Sequence, residues 1–441
     1  MTVAVFVFSL LGAMALGMPI AYALLVCGVS LMAFLASNGT LAAFDAQILA
    51  QRFVDGADNF PLLAVPFFLL AGEFMNAGGL SKRIVNLGVA WVGHFRGGLG
   101  YVTVIAAIIM ASLSGSAVAD TAALAAILIP MMRAAGYNVG RAAGLVASGG
   151  IIAPVIPPSI GFIIFGVAGN VSITKLFLAG IVPGLMMGLA IGIAWWWVAK
   201  KENVPSAAKL PMRERLSITF NSAFAIALPI IIIGGMKAGV FTPTEAAVAA
   251  AVYSFVVGMF IYREMRWSQV YGLFLAAGKT TAVVMFLVSA AMVSAWLITV
   301  ANIPNEVAQM LSPFMHNKTM LMLVMMVLIV IVGTALDFAP TVLILTPVLM
   351  PVVLKAGIDP VYFGVLFIMN NAIGLITPPV GTVLNVVCGV AKISMEEAFK
   401  GVMPFLIAQL IVLFLLVFIP ELVTVPLDWW LGKKSISSLF M

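Results

Sequence analysis

Two proline pairs interrupt two long apolar runs. One lies in Ile156-Pro157-Pro158-Ser159, the other in Thr377-Pro378-Pro379-Val380-Gly381-Thr382. A helix does not continue through such a pair, because two N–H donors are missing and the rings clash with the preceding turn. In lipid the freed carbonyls are costly unless something satisfies them. Interrupted membrane helices of this kind line binding sites near the bilayer midplane.

The two interruptions belong to one repeated unit. A shift of 221 positions places Pro157 and Pro158 on Pro378 and Pro379 without a gap. It also places Pro130 on Pro351, Gly136 on Gly357, Gly180 on Gly401 and Pro183 on Pro404. Over residues 130–183, nine of 54 aligned positions are identical, where about three are expected from ordinary composition. The four matched prolines weigh more than that count, because each fixes backbone shape. Each copy also carries a small polar segment upstream: Ser112-Leu113-Ser114-Gly115-Ser116 in one, Gly333-Thr334-Ala335-Leu336-Asp337 in the other. A gap-free match of this kind is better explained by an internal repeat than by chance similarity of apolar sequence.

The chain is 63% apolar and only 9% charged, with a mean hydropathy of +1.19. A soluble domain carries about 25% charged residues. The chain therefore reads as an all-α polytopic membrane protein, and its continuous rather than alternating apolar runs argue against a barrel. Cys27 and Cys388 both sit in apolar runs and make no disulfide framework. The net charge of +6 suits positive-inside loops and anionic lipid better than nucleic acid. The first apolar run continues past any cleavage site, so no cleavable signal is expected.

Three parts are expected: residues 1–200, a hydrophilic linker at 200–215, and residues 216–441. Residues 2–36 hold one or two crossings, depending on whether Gly17-Met18-Pro19 is a kink or a turn. Residues 44–60 alternate polar and apolar side chains as a surface-lying helix does, with a shorter counterpart at 263–279. Residues 62–75 span next, and 81–96 are amphipathic again. Residues 99–135 form two arms of about 12 to 16 residues around a polar tip. Arms that short read as a re-entrant hairpin, followed by a broken helix at 140–171. A crossing at 172–200 ends in Trp195-Trp196-Trp197 and Lys200-Lys201, an interface signature that puts the linker in the cytoplasm. The second half repeats this. Spans at 217–236 and 242–262 are joined at Gly234-Gly235, then come a span at 283–300, an amphipathic piece at 305–315, a hairpin at 319–356 and a broken helix at 360–390. A last span covers 399–422, with a second interface at Trp429, Trp430, Lys433 and Lys434. If each half crosses an odd number of times, the two repeats are inverted and the hairpins enter from opposite faces.

The hairpin tips are the polar part of an apolar core. Ser112, Ser114, Ser116, Asp120 and Thr121 cluster in the first; Thr334, Asp337 and Thr341 in the second. The carbonyls freed at 153–157 and 376–378 would face them, beside the hydroxyls of Ser159, Thr377 and Thr382. Uncharged oxygens suit a hard cation such as Na⁺; half-helix N-termini suit an anion. Competing readings stand beside these. Ser114-Gly115-Ser116 also suits close helix packing, Asp120 and Asp337 also suit N-caps, and Glu73 reads equally as an interface residue or an intramembrane acid. His94 and His316 read as surface groups, and the 27 methionines as core filler. No catalytic cluster, nucleophile elbow or P-loop is present in the sequence, so neither an enzyme nor a primary pump is expected.

The segment from Ser114 to Thr121, the Ile129-Pro130-Met131-Met132 run, Ile156-Pro157-Pro158-Ser159 and Ile376 to Thr382 together resemble the large membrane (M) subunit of tripartite ATP-independent periplasmic (TRAP) transporters, over essentially the whole chain. The resemblance implies an elevator-type secondary transporter of the bacterial cell inner membrane. Hairpins and broken helices would move against a scaffold. A periplasmic substrate-binding (P) subunit would deliver an organic acid to a complex with a small membrane (Q) subunit, which is expected as a separate chain. Uptake would be driven by Na⁺ alone among metals. Carried onto this chain, one Na⁺ site takes Ser112, Ser114, Ala153, Ile156 and Pro157; the other takes Gly333, Thr334, Thr377 and Pro378. The substrate would meet Ser116, Pro158, Ser159, Asp337, Thr341, Gly381 and Thr382. Sialic acids, C4-dicarboxylates, other sugar acids and amino-acid-like solutes all fit. Two alternatives stay open: a symporter or exchanger of the wider ion-transporter superfamily, whose fold the chain would share, that needs no binding protein, and a non-transport scaffold or enzyme.

Overall fold

The computed structural model describes residues 2–41, 43–202, 204, 206 and 208–432; Lys433 and Lys434 lie outside them. Every regular element among the described residues is helical.

The first half begins with α1 (Thr2–Ala15) and α2 (Ile20–Ser37), which pack on each other across a turn in which Gly17 adopts a positive φ. Gly17-Met18-Pro19 is thus a tight turn. α3 (Ala46–Ala57) is capped by Asp45 and lies along a later helix. α4 (Ala64–Ala77) and α5 (Leu80–Val92) follow. α6 (Gly98–Ser114) and α7 (Ala117–Ala134) form the first hairpin, and α8 (Val139–Gly150) and α9 (Ile160–Gly169) are the two pieces of the first broken helix. α10 (Ile173–Lys201) closes the half.

The second half opens with α11 (Met212–Asn221) and α12 (Ala223–Lys237), bent by 50° at Ser222. α13 (Pro243–Val256) starts at a capping box between Thr242 and Glu245. α14 (Trp267–Val300) and α15 (Ile303–Met310) lead to the second hairpin, α16 (Lys318–Ala335) and α17 (Phe338–Lys355). α18 (Pro360–Gly374) and α19 (Thr382–Ala391) form the second broken helix; α20 (Met395–Phe418) and α21 (Glu421–Trp430) end the described chain. Among the described residues, eight segments are long and apolar enough to cross a membrane, or nine if the bent pair is one span. With this composition the chain is a multi-pass membrane protein.

Several boundaries differ from the sequence reading, each for a physical reason. The hairpin arms have 17 and 18 residues in the first copy and 18 and 18 in the second. Serine and glycine at the tips are tolerated inside the last helical turn, so the arms are longer than their apolar runs. Residues 263–279 are not a separate surface helix; most of them are the first turns of α14. That helix has 34 residues, about 51 Å at 1.5 Å per residue, and outruns a hydrocarbon layer of about 30 Å. Gly234 and Gly235 lie inside α12, where Gly235 makes room for the Phe241 ring, and the turn falls after Lys237. Arg215 does not belong to the solvated linker. It is buried in α11, with its guanidinium over the Trp91 ring and beside His94. His94 is accordingly half-buried rather than a free surface group.

The halves meet through aromatic packing: Phe165 of α9 contacts Phe363 and Phe367 of α18 at ring separations of 6.1 and 5.5 Å. The pairing is crossed. The first hairpin's α7 packs on α19 of the other half, and the second hairpin's α17 packs on α9. α8 and α20 approach backbone to backbone, and a Cβ on Gly144 would fall 2.4 Å from the Gly401 carbonyl carbon.

The helices α10 and α20 run antiparallel: Trp195 lies with its ring 6.3 Å from that of Phe405, while the Gln409 side chain donates to the Met187 carbonyl. The base of the first hairpin sits at the Lys200 end of this pair, where the Trp195 indole donates to the Gly97 carbonyl at 2.8 Å. The base of the second sits at the other end. Tyr362, just after it, donates to the Leu416 carbonyl at 2.9 Å, and Lys318 donates to the Gly357 carbonyl at 2.7 Å.

Candidate functional site

Each break can be followed carbonyl by carbonyl. A helical carbonyl accepts from the N–H four residues on, so Pro157 and Pro158 withdraw partners from Ala153 and Pro154. Pro154 is compensated by the Ser159 hydroxyl, which also caps α9 by accepting from the Phe162 N–H at 3.1 Å. No hydrogen bond reaches the Ala153 carbonyl among those described. At the second break Pro378 and Pro379 withdraw partners from Gly374 and Leu375. There the Thr377 N–H reaches Gly374 at 3.0 Å and the Val383 N–H reaches Leu375 at 3.1 Å. Both Pro-Pro bonds are cis.

The first tip folds tightly against the first break. Gly115 takes a left-handed φ of 64°, Ser116 caps α7 through the Ala119 N–H, and the Ser114 hydroxyl donates to Asp120 Oδ1. Asp120 is therefore not an N-cap. It lies buried in the first turn of α7, and its Oδ2 has no partner. The neighbouring Thr121 Oγ1 is also buried without a partner, facing Gly150 of α8. Ile156 turns its side chain onto Gly184 of α10, leaving only its backbone toward the tip. Ala153, Pro157 and Pro158 are buried. Gly72 of α4 reaches Ser114 from the other side, next to a half-buried Glu73.

The second tip is built differently. Asp337 is an N-cap, accepting from the Phe338 N–H at 2.8 Å, and it also accepts from the Thr382 hydroxyl at 3.3 Å. The Val380 N–H donates to the Thr334 carbonyl at 3.3 Å. Gly333 and Gly374 touch backbone to backbone. Gly381 starts α19 with a φ of 47° and no side-chain cap. Thr341 is fully buried and donates to the Asp337 carbonyl. Pro378 is half-buried and Pro379 exposed, so this break is open where the first is closed.

One residue joins the two half-sites. Phe338, at the second tip, lays its ring on Gly161 at the start of α9, and its carbonyl accepts from the Asn371 side chain at 2.8 Å. Asn370 and Asn371 were not singled out from sequence. Both are buried in α18, and each has a side-chain oxygen without a partner. The signal was an Asn-Asn pair inside an apolar run, at the positions where the first copy has Gly149 and Gly150.

The hydroxyls share a chemical state. Ser112 donates to the Ile109 carbonyl at 2.6 Å, Thr334 to Ile331 at 2.9 Å and Thr377 to Ile373 at 2.9 Å. With its one hydrogen committed, each oxygen presents only lone pairs. Together with the partnerless oxygens of Asp120 and Asn371, these groups gather hydrogen-bond acceptors at each tip.

A family model described as "Tripartite ATP-independent periplasmic transporter, DctM component" matches residues 7–422. The chain belongs to this family. Among relatives of this TRAP large permease, the 2,3-diketo-L-gulonate TRAP transporter large permease protein of Escherichia coli K12 is 57% identical, over 97% of this chain and 100% of its own length. The sialic acid TRAP transporter large permease protein of Vibrio cholerae is 36% identical, over 97% and 98%. The crystal structure of the YdaH transporter of Alcanivorax borkumensis, described as having an unusual topology, superimposes with a TM-score of 0.59 at 16% identity, over 86% of this chain and 88% of that one. That last likeness is one of fold. As a member of the TRAP large permeases, the chain is a transporter subunit rather than an enzyme.

Proposed function

We propose that this TRAP large permease imports a carboxylate-bearing organic solute together with Na⁺. The observation that carries the reading is the lining of the tips, where hydroxyl oxygens have already spent their hydrogens within the protein. Such a lining favours a hard cation and disfavours a hydrogen-bond acceptor. One Na⁺ would sit among Ser112, Ser114 and the carbonyls of Ala153, Ile156 and Pro157. The other would sit among Gly333, Thr334, Thr377 and Pro378. The solute's carboxylate would lie between the tips. The uncapped N–H groups of α19 at Gly381 and Thr382 offer it donors, with Ser116, Pro158, Ser159, Asp337 and Thr341 around it. A relative at 57% identity is named for 2,3-diketo-L-gulonate, so a keto sugar acid is the first solute to test.

In this reading residues 1–200 and 216–441 are inverted repeats separated by the linker at 200–215. Hairpin bases at opposite ends of the antiparallel α10–α20 pair support it. The hairpins and broken helices move as one body against the remaining scaffold, in the bacterial inner membrane. A periplasmic binding protein hands over the solute, and a small membrane subunit completes the complex. The test is reconstitution of the three components in liposomes, with uptake followed under an inward Na⁺ gradient. Uptake that ignores the gradient overturns the coupling. Equal uptake without the binding protein favours a self-sufficient symporter instead.

A further inference from the structure

An apolar groove runs along the outside of the first hairpin, between α6 and α10. Its upper part, about 660 Å³, ends at Arg96 and Lys200. Its lower part, about 460 Å³, continues past Gly188 and Gly192 to Leu185. The two share Tyr101, Val104 and Trp196, so the channel is continuous. Two glycines of α10 shape it differently. A Cβ on Gly188 would fall 2.4 Å from Ile108, so this glycine lets the helices close behind the groove. A Cβ on Gly192 would meet nothing within 4 Å, so the groove is open there.

Polarity is sorted along its length. The walls below Tyr101 are hydrocarbon, whereas the cations lie at one end, with the Lys200 ammonium 5.6 Å over the Trp196 ring. From Lys200 to Leu185 the helix rises about 22 Å, somewhat more than the roughly 15 Å half-thickness of a bilayer's hydrocarbon. That is the reach of one acyl chain with its glycerol. The cationic end is also the end with Lys201 and the basic linker, which positive-inside topology places at the cytoplasmic leaflet.

We propose that this groove holds one anionic phospholipid of the cytoplasmic leaflet. One acyl chain lies along α6 and α10, and the phosphate sits between Arg96 and Lys200. The lipid then forms part of the outer wall of the first hairpin. The assignment does not depend on which solute or ion is carried.

Native mass spectrometry of the full chain, titrated with phosphatidylglycerol and with phosphatidylcholine, tests it. One phosphatidylglycerol should be held in preference. Arg96→Gln and Lys200→Gln should each weaken it about fivefold. Lys201→Gln removes the same charge outside the groove, beside Trp197, and should change nothing. Gly192→Leu fills the open stretch without touching the packed side and should expel the lipid at unchanged charge, with thermal unfolding as the check on its fold. Undiminished binding by Gly192→Leu overturns the proposal, as does an equal loss in Lys201→Gln, which would mean general surface charge. A photocrosslinker on Gly192→Cys that captures a protein segment in place of lipid overturns it in favour of a partner helix.

Discussion

Gly115 lies directly against Pro158: a Cβ built on the glycine would fall 2.2 Å from the proline's carbonyl oxygen. The tip of the first hairpin and the first break thus meet backbone to backbone, at a residue whose φ of 64° already favours glycine. Gly115→Ala should lower stability by about 1–3 kcal/mol and cut uptake at least tenfold. Thermal unfolding and liposome uptake measure the two effects. A variant that transports normally would show that this contact is dispensable.

Ser114→Ala and Thr377→Ala address the ion sites. Ser114 supplies the hydrogen bond to Asp120, and Thr377 offers lone pairs beside the second break. Each substitution should raise the Na⁺ concentration for half-maximal uptake about tenfold or more, while the protein still assembles. An unchanged Na⁺ response in both would refute the placement of the sites.

The Thr121–Gly150 contact predicts a coupled pair. A Cβ on Gly150 would fall 1.7 Å from Thr121 Oγ1, so Gly150→Ala should cost about 1–3 kcal/mol. Thr121→Ala removes a buried hydroxyl that has no partner and should cost little. The double variant should recover about 1 kcal/mol or more of the loss. Additive unfolding energies would contradict the contact.

His94 carries a pH dependence outside the spans. Partial burial, and then the cations of Arg215 and Lys209, hold its pKa below the ordinary 6.5. The unfolded chain therefore binds the proton first as pH falls. Stability should decline from about pH 6.5 downward until the lowered folded value is passed. Melting temperature followed from pH 7 to 5 should show this slope, and His94→Gln should flatten it; an unaltered slope would assign the effect to another group.

The sequence exposed the parts of this molecule that depend on local backbone chemistry. Proline pairs removed donors at known positions, and Ser116, Ser159 and Asp337 cap the helices beside the tips and breaks. It was less informative where partners are distant. Asp120 suited a cap as well as a ligand because it follows the tip closely, yet Ser116 holds the cap position and leaves Asp120 to Ser114. Asn370 and Asn371 were passed over because two amides in an apolar run carry no periodicity; only the approach of Phe338 and Gly333 gives Asn371 meaning. The crossed pairing of α7 with α19 and α17 with α9 was not readable, since all four helices are apolar enough to pack on any neighbour.

That crossed grip bears on how the chain can be taken apart. Cut at the linker, α9 would lose α17 and α19 would lose α7, so each fragment would display a bare, oily flank until it met its sibling. The two parts behave like clasped hands, each covering the flank that the other leaves bare.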